Sequence, residues 1–548
     1  MSKDEPIAIE LAKKQRDISV AEFFERNKHL LGFDNKRKAL LTVVKEAVDN
    51  SIDACEEARI LPEVRVEIVD MQNDRFRISV EDNGPGIVKK QIPNIFAKLL
   101  YGSKFHRMRQ SRGQQGIGIS AAVLYAQLTT GRPARIISKI SPKHPAVYAE
   151  LNINTQTNSP VIVKEEEKEW KKAQGTRFEV DIEAAYQKGD QSVDTYLKET
   201  AIANPHVTLI YTSPKSEQFI FARATDKLPA EPKEIKPHPY GVEHGILQKM
   251  ISATECRTLQ AFLTQEFSRV GPETAKEICA NASLLTNMKP HELQHAQVEQ
   301  LMNGIKNTKI ISPSTDCIVP IGEELLEKGL KKEVNAEFYT SVTRSPDVYK
   351  GIPFVVEVAF AYGGEQPSDQ PARLLRFANR VPLLYQQSAC ATFKSVIGTN
   401  WKAYGIQQSS GSLPQGPLTI AISLVSVWPP FTSEAKEAIA HYPEIIKEIK
   451  LALQDAGRKL GTYVNKKKRA GLEQERVNIF ERYIPEVADS LSRLTGENKN
   501  KLIENMKKML AKNKEFIQQN KGELKGEVEK KPKGEKQVTL KGSFEEEE

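Results

Sequence analysis

Cysteine is scarce in this chain: five in 548 residues, at positions 55, 256, 279, 317 and 390. None forms a C-x-x-C pair or has a histidine at zinc-binding spacing, so the sequence offers neither a disulfide framework nor a structural zinc site. Long apolar runs are also missing, and no stretch approaches the roughly 18 uninterrupted apolar residues of a membrane-spanning helix. The first residues, Met1-Ser2-Lys3-Asp4-Glu5, lack the apolar core of a secretory signal. These absences give the expectation of a cytoplasmic protein. Two common nucleotide signatures are absent too. No G-K-[ST] follows the glycine-rich segment, which excludes a P-loop, and the G-x-G-x-x-G order of a dinucleotide-binding turn does not occur there.

What the chain does have is charge, length and four short boxes. The net charge is +8 with 27% charged residues, which permits contact with nucleic acid without establishing it. The length suits about three or four domains, each with its own core. Lys466-Lys467-Lys468-Arg469 is a local basic cluster that reads as a solvated helix face. After about residue 518 the composition turns to Lys, Glu and Gly and ends in four glutamates, too few apolar groups to order themselves. That tail reads as disordered.

The first box is Glu46-Ala47-Val48-Asp49-Asn50. Across residues 38–58, Leu41, Val44, Val48 and Ile52 mark one helical face, and Glu46, Asn50, Asp53 and Glu57 fall on the opposite one. A carboxylate in that position can orient and deprotonate a water, and an amide one turn later can offer an oxygen to Mg²⁺. The same spacing is common on solvated helices. The second box, Asp82-Asn83-Gly84-Pro85-Gly86, follows two strands expected over residues 66–69 and 76–80. Asp82 can accept a hydrogen bond from an exocyclic amine, and glycines without Cβ let the backbone approach a flat ring. Asn-Gly and Pro-Gly equally mark a plain turn. The third box, Arg112-Gly113-Gln114-Gln115-Gly116-Ile117-Gly118, leads into a helix expected over 119–127, whose N-terminal amides can cradle phosphates. Ser103 and Lys104 can add a hydroxyl and a charge, and Gly175-Thr176 is the fourth box.

Order and spacing of the four boxes resemble the GHKL ATPases, the superfamily of gyrase, Hsp90 chaperones, sensor histidine kinases and MutL proteins. The resemblance implies a Bergerat fold that binds ATP and Mg²⁺. It makes Glu46 the general base, Asn50 the metal ligand and Asp82 the adenine contact. Gly84 and Gly86 would line the base pocket, the third box would form a phosphate lid, and Thr176 would support the water network beside adenine. Within the superfamily, Ala21-Glu22-Phe23-Phe24, Leu100-Tyr101-Gly102-Ser103-Lys104, Lys236-Pro237-His238-Pro239-Tyr240-Gly241 and Trp401-Lys402-Ala403-Tyr404-Gly405 are similar to the B subunits of archaeal topoisomerase VI. This likeness covers about residues 18–495. It implies that Lys402 reaches the γ-phosphate, since the lid itself carries no lysine.

The organisation that follows is an α+β multidomain chain. An N-terminal extension (1–17) precedes a GHKL ATPase domain (18–228). A proline-punctuated linker and a helical, helix-two-turns-helix domain occupy 229–309, where Val270-Gly271-Pro272-Glu273 opens a second helix. That domain either contacts phosphates through its helix N-termini or acts as a spacer. A β-α-β transducer domain spans 310–470, with strands over 354–361 and 418–427, further structure over 373–385 and a helix over 389–397. A long helical region over 445–494 runs through the C-terminal part (471–517) to the tail (518–548). Residues 483–487 are a candidate docking segment. The functional expectation is an ATP-hydrolysing topoisomerase subunit that dimerises on ATP and gates passage of double-stranded DNA. No cleavage tyrosine motif or Toprim-like acidic cluster is found, so a separate A subunit, in an A₂B₂ heterotetramer, would make the break. An Hsp90- or MutL-like ATPase is the alternative. A chaperone would lack the helical domain and the Trp401 loop. A histidine kinase would need a dimerisation helix pair before the boxes, and a degenerate scaffold would have lost Glu46 or Asn50.

Overall fold

The computed structural model describes residues 7–13, 15–103, 107–113, 116–433 and 435–511. The charged tail expected over 518–548 lies outside the described residues. Two compact units organise the chain: one runs to Lys402 and resumes at Ile406–Arg458, and the other takes Ala403–Gly405 and the chain from Lys459 onward.

The first unit begins with two short helices, α1 (Ile7–Lys13) and α2 (Val20–Arg26), and then α3 (Lys36–Glu57). Asn35 starts α3 by accepting a hydrogen bond from the Lys38 amide at 2.8 Å, as an N-cap asparagine does. Leu41, Val44, Val48 and Ile52 are all buried, the face that the periodicity marks. Strands β1 (Glu63–Asp70) and β2 (Arg75–Glu81) pair antiparallel, with Val66 opposite Val80 and Ile68 opposite Ile78. Gln72, Asn73 and Asp74 take positive φ between them. After α4 (Ile92–Ala97) and α5 (Gly118–Thr130) come β3 (Ala134–Lys139), β4 (Ala146–Asn154), β5 (Ser159–Lys168), β6 (Gly175–Glu183), α6 (Val193–Ala203), β7 (Thr208–Thr212) and β8 (Gln218–Phe221). The eight strands form one mixed sheet in the order β5-β4-β3-β6-β2-β1-β7-β8. Helices α3, α4 and α5 pack against it around one core, so the middle of α3, the end of β2 and the start of α5 meet near the start of β6.

Helices α7 (His244–Ala253), α8 (Leu259–Glu266), α9 (Pro272–Asn281) and α10 (His295–Asn307) share a second core that includes Leu247, Phe262, Ile278 and Leu301. Pro272 opens α9 just after Gly271, the position where a missing amide costs nothing.

Helix α11 (Glu323–Glu333) leads into a second sheet: β9 (Phe338–Thr343), β10 (Asp347–Tyr349), β11 (Ile352–Tyr362), β12 (Arg373–Ala378) and β13 (Val381–Pro382). Then come α12 (Ala391–Ile397), the short pair β14 (Gln407–Gln408) and β15 (Pro414–Gln415), and β16 (Leu418–Ser426). β11 and β16 are almost wholly buried, which is why both read as continuous apolar runs rather than alternating ones. β12 and β16 run parallel across α12, the expected β-α-β unit. The stretch 373–385 is not one element, because Asn379 and Arg380 take positive φ and reverse the chain between β12 and β13. Helix α12 begins at Ala391 because residues 387–389 form a separate 3₁₀ turn.

The last helix, α13 (Pro443–Thr495), is 53 residues long with Pro485 inside it. This bears out the helix expected over 445–494, and neither Gly471 nor Pro485 ends it. In the second unit Ile484, beside Pro485, is buried with Val477 and Leu510, and that packing offsets the helix bond that proline removes. No helix among the described residues is long and apolar enough to cross a membrane.

One carboxylate ties the centre of the large sheet together. Asp181 on β6 accepts from Arg77 at 2.8 Å, Arg132 at 2.7 Å and Arg135 at 2.7 Å. Burial alone would raise its pKa, but the hydrogen bonds of Arg77 and Arg132 and the charge of Arg135 pull it down to about 2. A depressed folded-state pKa stabilises the fold above the unfolded value of about 3.9, and that contribution is lost as pH falls towards 2. Asp181→Asn should therefore lower the urea midpoint at pH 7, with the gap to wild type closing between about pH 4 and pH 2. A gap that stays constant with pH would contradict this account.

Candidate active site

A cavity of about 630 Å³ opens between α3, α5 and the end of β2. Glu46, Asn50, Asp82, Gly86, Ser103, Gly113, Gly116, Ile117, Gly118 and Thr176 all line it, so the four boxes converge on one place. Lys104, Gln114 and Gln115 lie outside the described residues.

At one end of the cavity, Asp82 is 6% exposed. Its Oδ1 accepts from the Gly84 amide at 2.9 Å and the Thr176 amide at 3.1 Å, and its Oδ2 accepts from Ser51 Oγ at 3.1 Å. Burial raises its pKa while these donors oppose the rise. The carboxyl is thus fixed in direction and keeps acceptor capacity facing the cavity. Thr176 Oγ1 and Ser138 Oγ are 3.1 Å apart, and Ser138 Oγ accepts from the Ile87 amide at 2.8 Å. Gly84 is not in the cavity wall; its amide braces Asp82. Gly86 has φ +71, and a Cβ there would lie 2.2 Å from the Lys139 carbonyl oxygen, so only glycine lets this turn close against β3.

At the other end, Glu46 and Asn50 project from α3 one turn apart. A Cβ on Gly118 would lie 1.7 Å from Glu46 Oε2, which places the first residue of α5 directly on the carboxylate. Ile117, the N-cap of α5, supplies no side-chain cap. The first amides of α5 therefore lack that partner and suit phosphate oxygens. Asn50 is exposed at the cavity, and among the described residues no group of three or more His, Cys, Asp or Glu side chains is arranged to hold a metal. One amide oxygen fits a magnesium ion, which takes only one or two protein ligands and completes its shell with phosphates and waters.

The cationic side of the cavity comes from an unexpected element. Lys38, Lys45 and Lys436 line it. Lys436 follows β16, has φ +53, and donates to the Arg112 carbonyl at 3.2 Å. Burial lowers its pKa while the charge of Glu46 opposes the drop. Lys402 is not among the lining residues. It sits on the 3₁₀ turn Trp401–Tyr404, where the buried Trp401 donates Nε1 to the Val396 carbonyl at 2.8 Å. Nothing in Ser433-Glu434-Ala435-Lys436-Glu437 distinguishes Lys436 from an ordinary surface lysine, whereas the aromatic neighbours of Lys402 draw attention to it.

Arg112, the first residue of the third box, has no role that the sequence assigns. Its guanidinium is buried against Asp53 at 2.7 Å, both oxygens of Glu56 at 2.7 and 2.9 Å, and Asn204 at 2.5 Å. Glu56 also bonds His206 Nε2 at 2.7 Å. Burial would raise the Glu56 pKa, but Arg112 and His206 hold it well below the usual carboxylate range. The Asn379 side chain donates to the Ser111 carbonyl at 3.0 Å, so the second sheet grips the same short segment.

Comparison with known proteins bears on both ends of the molecule. Residues 35–185 match the model of the histidine kinase-, DNA gyrase B- and HSP90-like ATPases, and residues 313–476 match that of the topoisomerase VI B subunit transducer. The chain is similar to a protein of Methanococcoides burtonii named as the B subunit of type 2 DNA topoisomerase 6, with 52% identity over 488 residues, 89% of this chain and 78% of that one. The protein of the same name from Archaeoglobus fulgidus is 49% identical over 479 residues, covering 87% of this chain and 79% of that one. That from Thermococcus kodakarensis is 40% identical over 547 residues, covering 91% and 95%.

The charge cluster around Arg112 makes a measurable demand. Arg112→Met leaves Asp53 and Glu56 without their main counter-charge in a buried site, and removing one partner of such a cluster costs about 3–5 kcal/mol. A urea titration of the variant should show that loss. A change below about 1 kcal/mol, the range of surface pairs, would mean that the cluster does not hold the segment in place.

Proposed function

The chain belongs to the family of type 2 DNA topoisomerase 6 B subunits, and we propose that it works as the ATP-driven gate of such an enzyme, with each role assigned to a residue of the cavity. It is an ATP-dependent type II topoisomerase subunit with a gyrase B-like ATPase domain. The observation that carries the residue assignment is the convergence of Glu46, Asn50, Asp82, Thr176 and the α5 N-terminus on one cavity, with a lysine of the transducer in its wall.

Adenine would lie over Gly86 with its exocyclic amine donating to Asp82, while Thr176 and Ser138 hold water beside the ring. The triphosphate would run towards α5, where the amides from Gly116 onward and the helix dipole meet its charge. Ser103 and Lys104 would add polar contacts. Asn50 would ligate Mg²⁺, which when bound neutralises charge on the phosphates. Glu46 would orient the attacking water and take its proton, a geometry held by the contact with Gly118. We assign the γ-phosphate contact to Lys436 rather than Lys402, because Lys436 is already in the cavity wall with Glu46. An ammonium that gains a partner from ATP and loses it after hydrolysis biases the transducer between two positions.

The division of labour extends beyond the chain. We infer a separate A subunit that cuts DNA, an A₂B₂ assembly, and dimerisation of the ATPase parts when ATP binds. Domain limits of 18–228 for the ATPase, 229–309 for the linker and helical domain, and 310–470 for the transducer fit this arrangement, with the proline-rich linker from Pro229 separating two of them.

Glu46→Ala should slow hydrolysis by about 10²- to 10⁴-fold while calorimetry with a non-hydrolysable ATP analogue shows binding retained. Turnover above about a tenth of wild type would remove Glu46 as the base. Lys436→Ala should cost on the order of 10²-fold in ATP turnover with ADP affinity little changed, and should cost much more than Lys402→Ala. The reverse ranking would return the phosphate contact to Lys402.

A further inference from the structure

The residue after Lys436 makes a second, separate connection to the ATPase core. Glu437 is 6% exposed, and its Oε1 lies 2.5 Å from Lys38 Nζ. Lys38 is in the first turn of α3, eight residues before Glu46, which is about 12 Å along the helix axis. The same ammonium is 2.8 Å from Asp34 Oδ1 and 5.3 Å from the centre of the Tyr385 ring. Burial would lower the Lys38 pKa, but the carboxylates of Asp34 and Glu437 beside it more than offset that, so it is raised and the group is charged. Both Lys38 and Glu437 line the cavity.

On the transducer side the segment is held by its backbone. The Ala438 carbonyl accepts from the Thr432 amide and the Ile439 carbonyl from the Ala391 amide, each at 2.9 Å. Lys436 itself has φ +53, a conformation that a non-glycine residue keeps only when its surroundings impose it. Backbone bonds fix one side of Lys436. On the other side the ion pair of Glu437 with Lys38 ties the segment to α3.

We infer that Lys38 is a positioning residue: its ion pair with Glu437 sets where the Lys436 ammonium sits relative to Glu46, and so how well hydrolysis at α3 is coupled to movement of the transducer. This rests on the assignment of Lys436 above. Glu437, buried and acidic, is the reciprocal half. A surface ion pair with this geometry would contribute little, but here both side chains are mostly enclosed; losing Lys38 strands the Glu437 carboxylate in the cavity wall, while losing Glu437 leaves Lys38 paired with Asp34 alone.

The test uses the full chain with its A subunit, and the variants Lys38→Met, Glu437→Gln and their combination, each made also with Lys436→Ala. Each single variant should lower kcat for ATP about three- to tenfold, with a matching loss of strand passage and ADP affinity within about twofold of wild type. The Lys38→Met/Glu437→Gln pair should be no worse than the weaker single, and Lys38→Arg should recover most of the rate. With Lys436→Ala present, neither change should reduce turnover further. Wild-type kcat in Lys38→Met and Glu437→Gln while Lys436→Ala is impaired would overturn this inference and leave the lysine assignment standing. Wild-type turnover in Lys436→Ala would overturn both. An equal further loss on top of Lys436→Ala would show that the pair acts on general stability, which also overturns the positioning role.

Discussion

Glu46 lies so close to the first residue of α5 that no Cβ fits between them, and much of the cavity depends on that contact. It brings the N-terminus of α5 to the carboxylate, so the helix amides that can bind phosphate and the group that can take a proton from water are held as one piece. Because α3 and α5 both pack on the same sheet, their separation is fixed by the core rather than by loops. Asn50 follows one turn along α3, and Asp82 is held at the far end by its bonds to Ser51 on α3 and Thr176 on β6. The packing of α3 therefore sets the distance between the two ends of the cavity.

The second level of organisation is the joint between the large sheet and the transducer strands. Ser111 and Arg112 are gripped from both sides: by Asp53 and Glu56 of α3, and by Asn379 and Lys436 from the second sheet. The Asn204 side chain bonds both Arg112 and the Arg380 carbonyl. The α5 end of the cavity is thus joined to the second sheet by short, buried polar contacts. Polar networks of this kind respond as units, because an unpaired member in a low-dielectric site is costly.

Much of this was legible in the residues. The boxes stand out because each packs several chemically demanding residue types into five or six positions, and the strands and helices around them follow simple periodicity, as in α3 and β1. The continuous apolar runs of β11 and β16 announce a sheet covered on both faces. What local pattern could not convey was partnership at long range. Lys436 is 390 positions from Glu46 in the sequence, on a segment with no distinctive composition, while Lys402 stands beside the conspicuous Trp401, which is buried. Arg112 reads as part of a glycine-rich loop until Asp53, Glu56 and Asn204 are seen to surround it. The length of α13, by contrast, was legible, because the helical pattern over 445–494 continues through Gly471 and Pro485.

The central claim is that a single transducer lysine reads the terminal phosphate of ATP held between Glu46 and the α5 N-terminus. A crystal structure of the chain with a non-hydrolysable ATP analogue and Mg²⁺ tests it most directly. The account predicts the Lys436 ammonium on the γ-phosphate, Asn50 on the metal, Glu46 facing the in-line water and Asp82 on the adenine amine. A γ-phosphate contacted by Lys402 with Lys436 still on the Arg112 carbonyl would contradict it, as would a nucleotide bound outside this cavity.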